Sequence, residues 1–503
     1  MGFEGLPPEL HSTLVKYLAT KDLLALSRVS KRLHDVASSH LYAHIKITNS
    51  QQAFSCCNTL ANSQYDYASH VRTFSVDDFP PWNYTEWHKR CFREWLIKGV
   101  HRMTNLMHFR CMLSGSFAQD MCAVLKERKT LVSLAISIPH YDPWVHDSLP
   151  PWSEDVLRPY FPLLTSFAFH YTNSRPPICP IYEKFLIHMI QAHHKHLRVL
   201  RLPEWLPLEY GYKLIPTHLK FDNLRSLTIQ ASALHYSFCE QMKNVTHLTY
   251  PKHEPSMDDR HIPSNAFPNL THFSGSCRCV KDILSRNRPV RFLQFDGAIF
   301  DMEDADIFME GSQPTWRDVF AAIKRFPESQ GPVREFRFYI RSLRIAMLPK
   351  AINYLTSLHS ITICLRSDIK DLDYLPKLGR KFFRDMPVLH TFLLSDEPFF
   401  VYRGKRFSIA EDIPKQRSIL ELWESYCPTL RRVSFTAAFV WDKLVVGNVD
   451  RDAGCENGVG GGDDEEGVRA GNGNGKAAKR RSNWVRSVGP RRKKMGFEEF
   501  EEY

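Results

Sequence analysis

The sequence predicts an α/β protein in three parts: a short helical module over 1–46, a long helix-and-strand array over 66–446 and a disordered tail over 447–503. Residues 47–65 connect the first two parts. Three observations predict this order. Apolar residues recur at helical spacing through the first 46 residues. A pattern φ-x-x-φ-x-φ, with φ an apolar residue, returns thirteen times between Val71 and Phe435. From Gly447 onward, Gly, Asp, Glu, Asn and basic residues replace the apolar ones.

Composition sets the bounds. A chain of 503 residues has room for about three domains of roughly 150 residues or for one long array. Charged residues make up 24% and apolar residues 43%, the balance of a globular protein. No apolar run reaches the about 18 residues of a membrane span, so none is expected. The N-terminal Met1-Gly2-Phe3-Glu4-Gly5-Leu6 lacks the basic and apolar regions of a secretory signal. Leu6 also stands where a myristoylation signal needs Ser or Thr. The net charge of +11 points to acidic partners. Its distribution excludes a nucleic-acid stripe: the tail nets to zero, residues 1–46 carry +2, and +9 is spread thinly over 47–446. The 12 cysteines read as reduced, core-packed thiols. The close pairs Cys56-Cys57 and Cys277-Arg278-Cys279 lack zinc spacing, so no metal site is expected.

In the first part, Pro7-Pro8 suits a first helical turn, and Glu9 adds a favourable N-terminal charge. Leu10, Leu14 and Leu18 follow at helical spacing. Thr20 is expected to cap a second helix with Leu23, Leu24 and Leu26, and Ser30 a third with Leu33, Val36, Ala37 and Leu41. Three such helices bury little surface alone and need a partner or a neighbouring domain.

The run Leu6-Pro7-Pro8-Glu9-Leu10, then Leu14, Tyr17-Leu18, Asp22 to Leu26 and Val29 to Leu33, resembles the F-box motif. Ala37 and Leu41-Tyr42-Ala43-His44-Ile45 resemble its ending in many fungal F-box proteins. The chain departs at Ser30 and Arg32-Leu33, where many F-boxes carry Cys and Trp. The resemblance implies docking on a Skp-family adaptor, which links to a cullin scaffold. The docking residues it implies are Leu6, Pro7, Leu10, Leu14, Leu18, Leu23, Leu26, Val29 and Leu33.

The second part opens with Val71/Phe74/Val76 and closes with Leu430/Val433/Phe435, its most typical copy. Leu270/Phe273/Gly275 fits least well. Helices are expected between copies, at Glu86–His101, Phe117–Lys129, Tyr182–His196, Trp316–Phe326, Ala351–Leu358 and Pro414–Tyr426. This alternation resembles an irregular leucine-rich-repeat solenoid, without the Asn usual after the strand. The residue between the last two φ positions should point away from the core, onto the concave face. None of these thirteen residues is acidic, and three are Arg110, Arg201 and Arg337. Arginine pairs planar anions through a two-pronged fork, so this face is expected to take an acidic or phosphorylated target segment.

In the tail, Lys479-Arg480 and Arg491-Arg492-Lys493-Lys494 are spaced like a two-part nuclear import signal. The expected location is therefore nucleus, cytoplasm or both. The glycine-rich Gly471 to Ala477 fails as a phosphate loop, because Ala470 and Ala477 replace its Gly and its hydroxyl residue. Asp301 to Asp306 lacks the Gly and the closing Glu of a calcium loop. His188, His193, His194 and His196 read as a solvated helix face. No nucleophile–base motif occurs. No cofactor is expected, and the chain is expected to be no enzyme. The expected function is substrate recognition for an SCF-type ubiquitin ligase, in ubiquitin-dependent degradation. The alternatives are a non-proteolytic F-box scaffold in the nucleus and, third, an enzyme whose site lies unrecognised within 66–446.

Overall fold

The computed structural model describes residues 7–76, 85–113, 115–138, 160–171, 180–202, 218–229, 241–250, 265–284, 288–299, 316–340, 343–365, 369–370, 375–396, 412–436, 439–443 and 484–488, with isolated positions between them. The chain divides into two compact units. The first holds 1–296 with 328–331, and the second 297–327 with 332–503. No helix among the described residues is long and apolar enough to cross a membrane.

The first unit begins with three helices, α1 (Pro8–Val15), α2 (Thr20–Leu26) and α3 (Lys31–Leu41). Pro8 starts α1, where its missing N–H costs nothing. Ser30 caps α3 by accepting from the Leu33 N–H. Thr20 does not cap α2: the cap position is Ala19, and no side chain bonds there. Val15, Leu23 and Ala37 form the small core between the helices, with Leu26, Val36 and Leu41 packed against it.

Two residues after α3 the chain enters strand β1 (His44–Ile47), and then helix α4 (Ser50–Asn62). Residues 47–65 are thus largely helix rather than a plain connector. Strands β2 (Thr73–Val76), β3 (His108–Met112), β4 (Ser133–Ile138), β5 (Ser166–Tyr171), β6 (Val199–Arg201), β7 (Ser226–Thr228), β8 (His247–Tyr250), β9 (His272–Gly275) and β10 (Phe292–Ile299) follow. Each pairs in parallel with the next, β1 with β2 included. Helices α5 (Glu86–Arg102), α6 (Gly115–Leu125), α7 (Pro180–His193) and α8 (Val280–Leu284) lie between strands in sequence. The φ side chains, such as Phe74, Phe109, Leu134, Phe167 and Leu200, are buried, and the residues between them face the other way. At the weakest copy, a Cβ on Gly275 would lie 2.9 Å from Phe273 Cζ and from the Tyr250 carbonyl, so its neighbours already fill the third apolar position.

A side-chain ladder joins the copies where sequence showed none. Asn105, Asn223, Asn244 and Asn269 each stand one residue before the first φ of a copy. Their amides donate to the carbonyls of Ser69, Lys195, Asp222 and Lys243, at 2.8, 2.7, 2.6 and 2.8 Å. Each acceptor lies two residues before the first φ of the preceding copy. Shorter hydroxyl side chains at the same position reach the φ carbonyl itself: Thr130 bonds Leu106 at 2.7 Å, Ser357 bonds Val333 at 3.1 Å and Thr429 bonds Leu389 at 2.9 Å. Asparagine is thus present, but before the strand instead of after it.

The second unit carries α9 (Trp316–Ile323), β11 (Glu335–Ile340), β12 (Leu343–Arg344), β13 (Ser360–Leu365), β14 (Ile369–Lys370), α10 (Leu375–Lys381), β15 (Thr391–Asp396), α11 (Ile413–Tyr426) and β16 (Arg432–Thr436). Strands β11, β13, β15 and β16 pair in parallel in that order, and β12 pairs with β14. The helix expected at Ala351–Leu358 is replaced by 3-10 winding over Ile345–Tyr354, which contains Pro349. Strand β17 (Phe439–Lys443) then adds antiparallel to β16, and β18 (Trp484–Val488) antiparallel to β17. Residues 484–488 correct the expectation of disorder within 447–503. Buried Trp484 explains the exception: its ring leaves water and its indole N–H donates to Glu424 Oε2 at 2.9 Å. Trp441 on β17 is likewise buried and donates to Gln416 Oε1 at 2.8 Å.

The ladder predicts that Asn223→Ala, Asn244→Ala and Asn269→Ala each lower unfolding free energy by about 1 kcal/mol, one net hydrogen bond each. Asn58→Ala, on an exposed helix face, should shift it by less than about 0.5 kcal/mol. Urea unfolding of the full chain measures both, and three ladder variants as stable as wild type would contradict the assignment.

Candidate functional site

Helix α1 carries two opposed faces. His11 and Val15, one turn apart, are buried. Leu10 and Leu14, one residue behind each, point outward with 48% and 41% of their surface exposed. Pro7 and Leu18 are exposed beside them. Val29 is 64% exposed, and Tyr17 and Leu24, which the motif does not single out for docking, are 84% and 48% exposed. So many uncovered apolar side chains within 23 residues mark a docking surface, because water gains nothing from contact with them. Leu6 lies outside the described residues. Leu23 and Leu33 are buried and Leu26 is half-buried, which corrects the motif-derived set. The physical reason is the crossing of three short helices, which needs its own apolar centre and takes Leu23 and Leu33 for it.

The F-box-like family model matches residues 3–48. Residues 3–48 form an F-box-like domain. Such a domain implies a Skp-type adaptor as partner. No curated protein matches the chain. The exposed side chains of α1 thus belong to the F-box-like domain, and its two ends meet different neighbours. On one side stand the apolar groups just described. On the other, His34 Nε2 lies 3.2 Å from the Tyr67 hydroxyl, and Tyr42 stacks on Tyr67 with ring centroids 4.4 Å apart. The F-box-like domain also contains β1, whose pairing with β2 carries it straight into the sheet. Arg102 of α5 donates to the carbonyls of Leu60, Ala61 and Ser63, fixing the end of α4.

The strand register tests the outward row. Ser75, Arg110, Ala135, Ala168, Arg201, Thr228, Thr249, Ser274 and Gln294 are direct neighbours on successive strands. Lys46 extends the row onto β1. In the second unit Arg337, Thr362, Leu393 and Ser434 are aligned in the same way. Arg110 and Arg201 are half-buried, with part of each side chain at the surface. Arg337 is only 8% exposed, so it is withdrawn from any macromolecular partner, contrary to expectation.

Sequence reasoning missed His170. It stands two residues past Ala168, on the same face of β5, and strand alternation alone would have placed it there. Burial, then Arg110, then Arg201, push its imidazole down to about 3. At neutral pH the ring is therefore uncharged and sits in a positive field.

The remaining candidates disperse. His193 is buried and accepts from the Phe161 N–H, while Nδ1 of His194 lies 2.9 Å from the Gln191 carbonyl. Among the described residues no three His, Cys, Asp or Glu side chains gather to hold a metal. Burial raises the thiols of Cys56, to about 11, and Cys122, to about 12. Both stay protonated and are poor nucleophiles. Asp301 to Asp306 and the basic residues Lys479, Arg480, Arg491, Arg492, Lys493 and Lys494 lie outside the described residues.

The two classes of leucine should separate in unfolding experiments. Leu14→Ser should leave stability within about 0.5 kcal/mol of wild type, as for other surface positions. Leu23→Ala should cost about 2–5 kcal/mol, the range for truncating a buried leucine. Equal losses at both positions would contradict the outward orientation of Leu14.

Proposed function

We propose that this chain is a substrate-recognition subunit of an SCF-type ubiquitin ligase. The observation that carries the reading is the F-box-like domain at 3–48, with Leu10, Leu14 and Leu18 left in water. Docking would bury these side chains against the adaptor, each contributing roughly 1.5–3 kcal/mol. The adaptor would link the chain to a cullin scaffold. The strand array, read as an irregular leucine-rich-repeat-like solenoid, would hold the target on its outward row.

Catalysis in this reading is proximity. Holding a target lysine near a charged ubiquitin carrier raises its effective concentration without any active-site group in the receptor. F-box proteins are typically non-catalytic adaptors, which agrees with this division of labour. Direct attachment of the F-box-like domain to the sheet, through β1 and the Tyr67 contacts, suits the role, since a loose tether would dilute that concentration.

Affinity capture of the full chain from its own cells tests the reading. Wild type should retain the adaptor and a cullin, and Leu10→Ser/Leu14→Ser should lose both at least tenfold while remaining folded. A set of captured proteins should accumulate when the chain is deleted. Capture of no adaptor by wild type would overturn the reading, and capture without any accumulating target would leave only its adaptor half.

A further inference from the structure

The rim where strands β5 to β8 begin gathers charge that lies scattered in the sequence. Each copy brings three residues there, the two before its first φ and the one after it. The first φ residues are Leu164, Leu197, Leu224 and Val245. Of the twelve rim positions four are Lys195, Arg198, Arg225 and Lys243, one is Asp222, and none is buried. Backbone bonds stack the copies: the Arg198 N–H donates to the Thr165 carbonyl, and the Arg225 N–H to that of Arg198. Neighbouring strands lie about 4.8 Å apart, so β6 to β8 bring all four cations within about 10 Å along the rim. None of the four meets a carboxylate among the described residues.

Beside the cations, on the copy of β5, two large apolar side chains stand in water. Leu163 is 54% exposed, and Tyr160, three residues before it, is 60% exposed. Tyr160 is anchored from behind: its ring stacks on that of buried His193, with centroids 5.5 Å apart. The asparagine ladder fixes the backbone under the charges, since Asn223 and Asn269 donate to the carbonyls of Lys195 and Lys243. The pairing runs from β5 to β8 without a register shift, so the strand starts end level and the rim is flat.

We propose that this rim rests on an anionic lipid bilayer, with Tyr160 and Leu163 entering the headgroup layer and Lys195, Arg198, Arg225 and Lys243 meeting the charged headgroups. Basic residues draw anionic lipid, and apolar side chains beside them leave water at the headgroup boundary. A nucleic-acid backbone rewards the cations alone and leaves Leu163 in water. The cations stand in two parallel rows, Lys195 with Lys243 and Arg198 with Arg225, which a plane covers at once and an extended acidic peptide does not. The contact is separate from the adaptor-docking helices and does not depend on the receptor reading. Confinement to a surface raises the effective concentration of the chain toward proteins held there.

The test is co-sedimentation of the full chain with vesicles at fixed ionic strength. Vesicles of phosphatidylcholine with one-third phosphatidylserine should bind it at least tenfold tighter than phosphatidylcholine alone, and high salt should weaken the binding. Arg198→Glu/Arg225→Glu should weaken it at least tenfold, since each basic residue near an anionic surface is worth about fivefold. Leu163→Ser should weaken it at least threefold. Asp222→Lys should strengthen it several-fold, and this gain serves as the test if a charge-reversed variant fails to fold. Arg384→Glu, at an exposed arginine of the second unit, should leave it unchanged within twofold. Equal binding to both vesicles, or binding that ignores Asp222→Lys and the folded Arg198/Arg225 variant, would overturn the proposal. Tighter binding to a DNA duplex or to polyglutamate than to the anionic vesicles, unaltered by Leu163→Ser, would assign the rim to a soluble polyanion and overturn it as well.

Discussion

The parallel pairing of His44–Ile47 with Thr73–Val76 joins the F-box-like domain to a sheet with no linker between them. The Ala43 carbonyl accepts from the backbone N–H groups of Arg72 and Thr73, and the Arg72 carbonyl accepts in turn from Met107 and His108. The same two-donor contact recurs at Met107, Val132, Thr165, Arg198, Arg225, Thr246 and Thr271. Each copy is therefore placed by the carbonyl of the copy before it. The first link in that chain belongs to residues 3–48, so the orientation of the F-box-like domain on its sheet is set by backbone bonds rather than by side-chain packing alone.

The strands then sort chemistry by face. Phe74, Phe109, Leu134, Phe167 and Leu200 leave water on one side, the main driving force for stacking. The other side is mixed: Arg110 and Arg201 reach the surface in part, while Ala168, Arg337 and Ser434 are buried. Arg110, Arg201 and His170 share that face, with Ala135 and Ala168 between the arginines in the row. The ladder of Asn105, Asn223, Asn244 and Asn269 meets a different need, since turn carbonyls between copies have no strand partner and would otherwise rely on water.

The strand positions are legible in the sequence because a buried strand core demands apolar residues at fixed intervals. The middle φ of each of the thirteen φ-x-x-φ-x-φ sites falls on a strand. Tyr42/Ile45/Ile47 has the same spacing, yet it overlaps the ending of the N-terminal motif and reads as part of it. Leu23 and Leu33 look like docking residues because a motif records which residues are apolar, and not which of them the small domain keeps for itself. Arg337 shows the same limit, because alternation gives the side a residue faces but not how deep it lies. Strand β18 lies beyond reach for another reason: five residues in a charged tail carry too little periodicity to signal a strand, and only Trp484 hints at burial.

The central claim is that residues 3–48 present an adaptor-docking face on a chain whose remaining described body supplies recognition. Sedimentation velocity on the purified chain mixed with its purified Skp-family adaptor tests that claim without knowledge of any target. The account predicts a single 1:1 complex at micromolar concentrations. Two independently sedimenting species at those concentrations would contradict it.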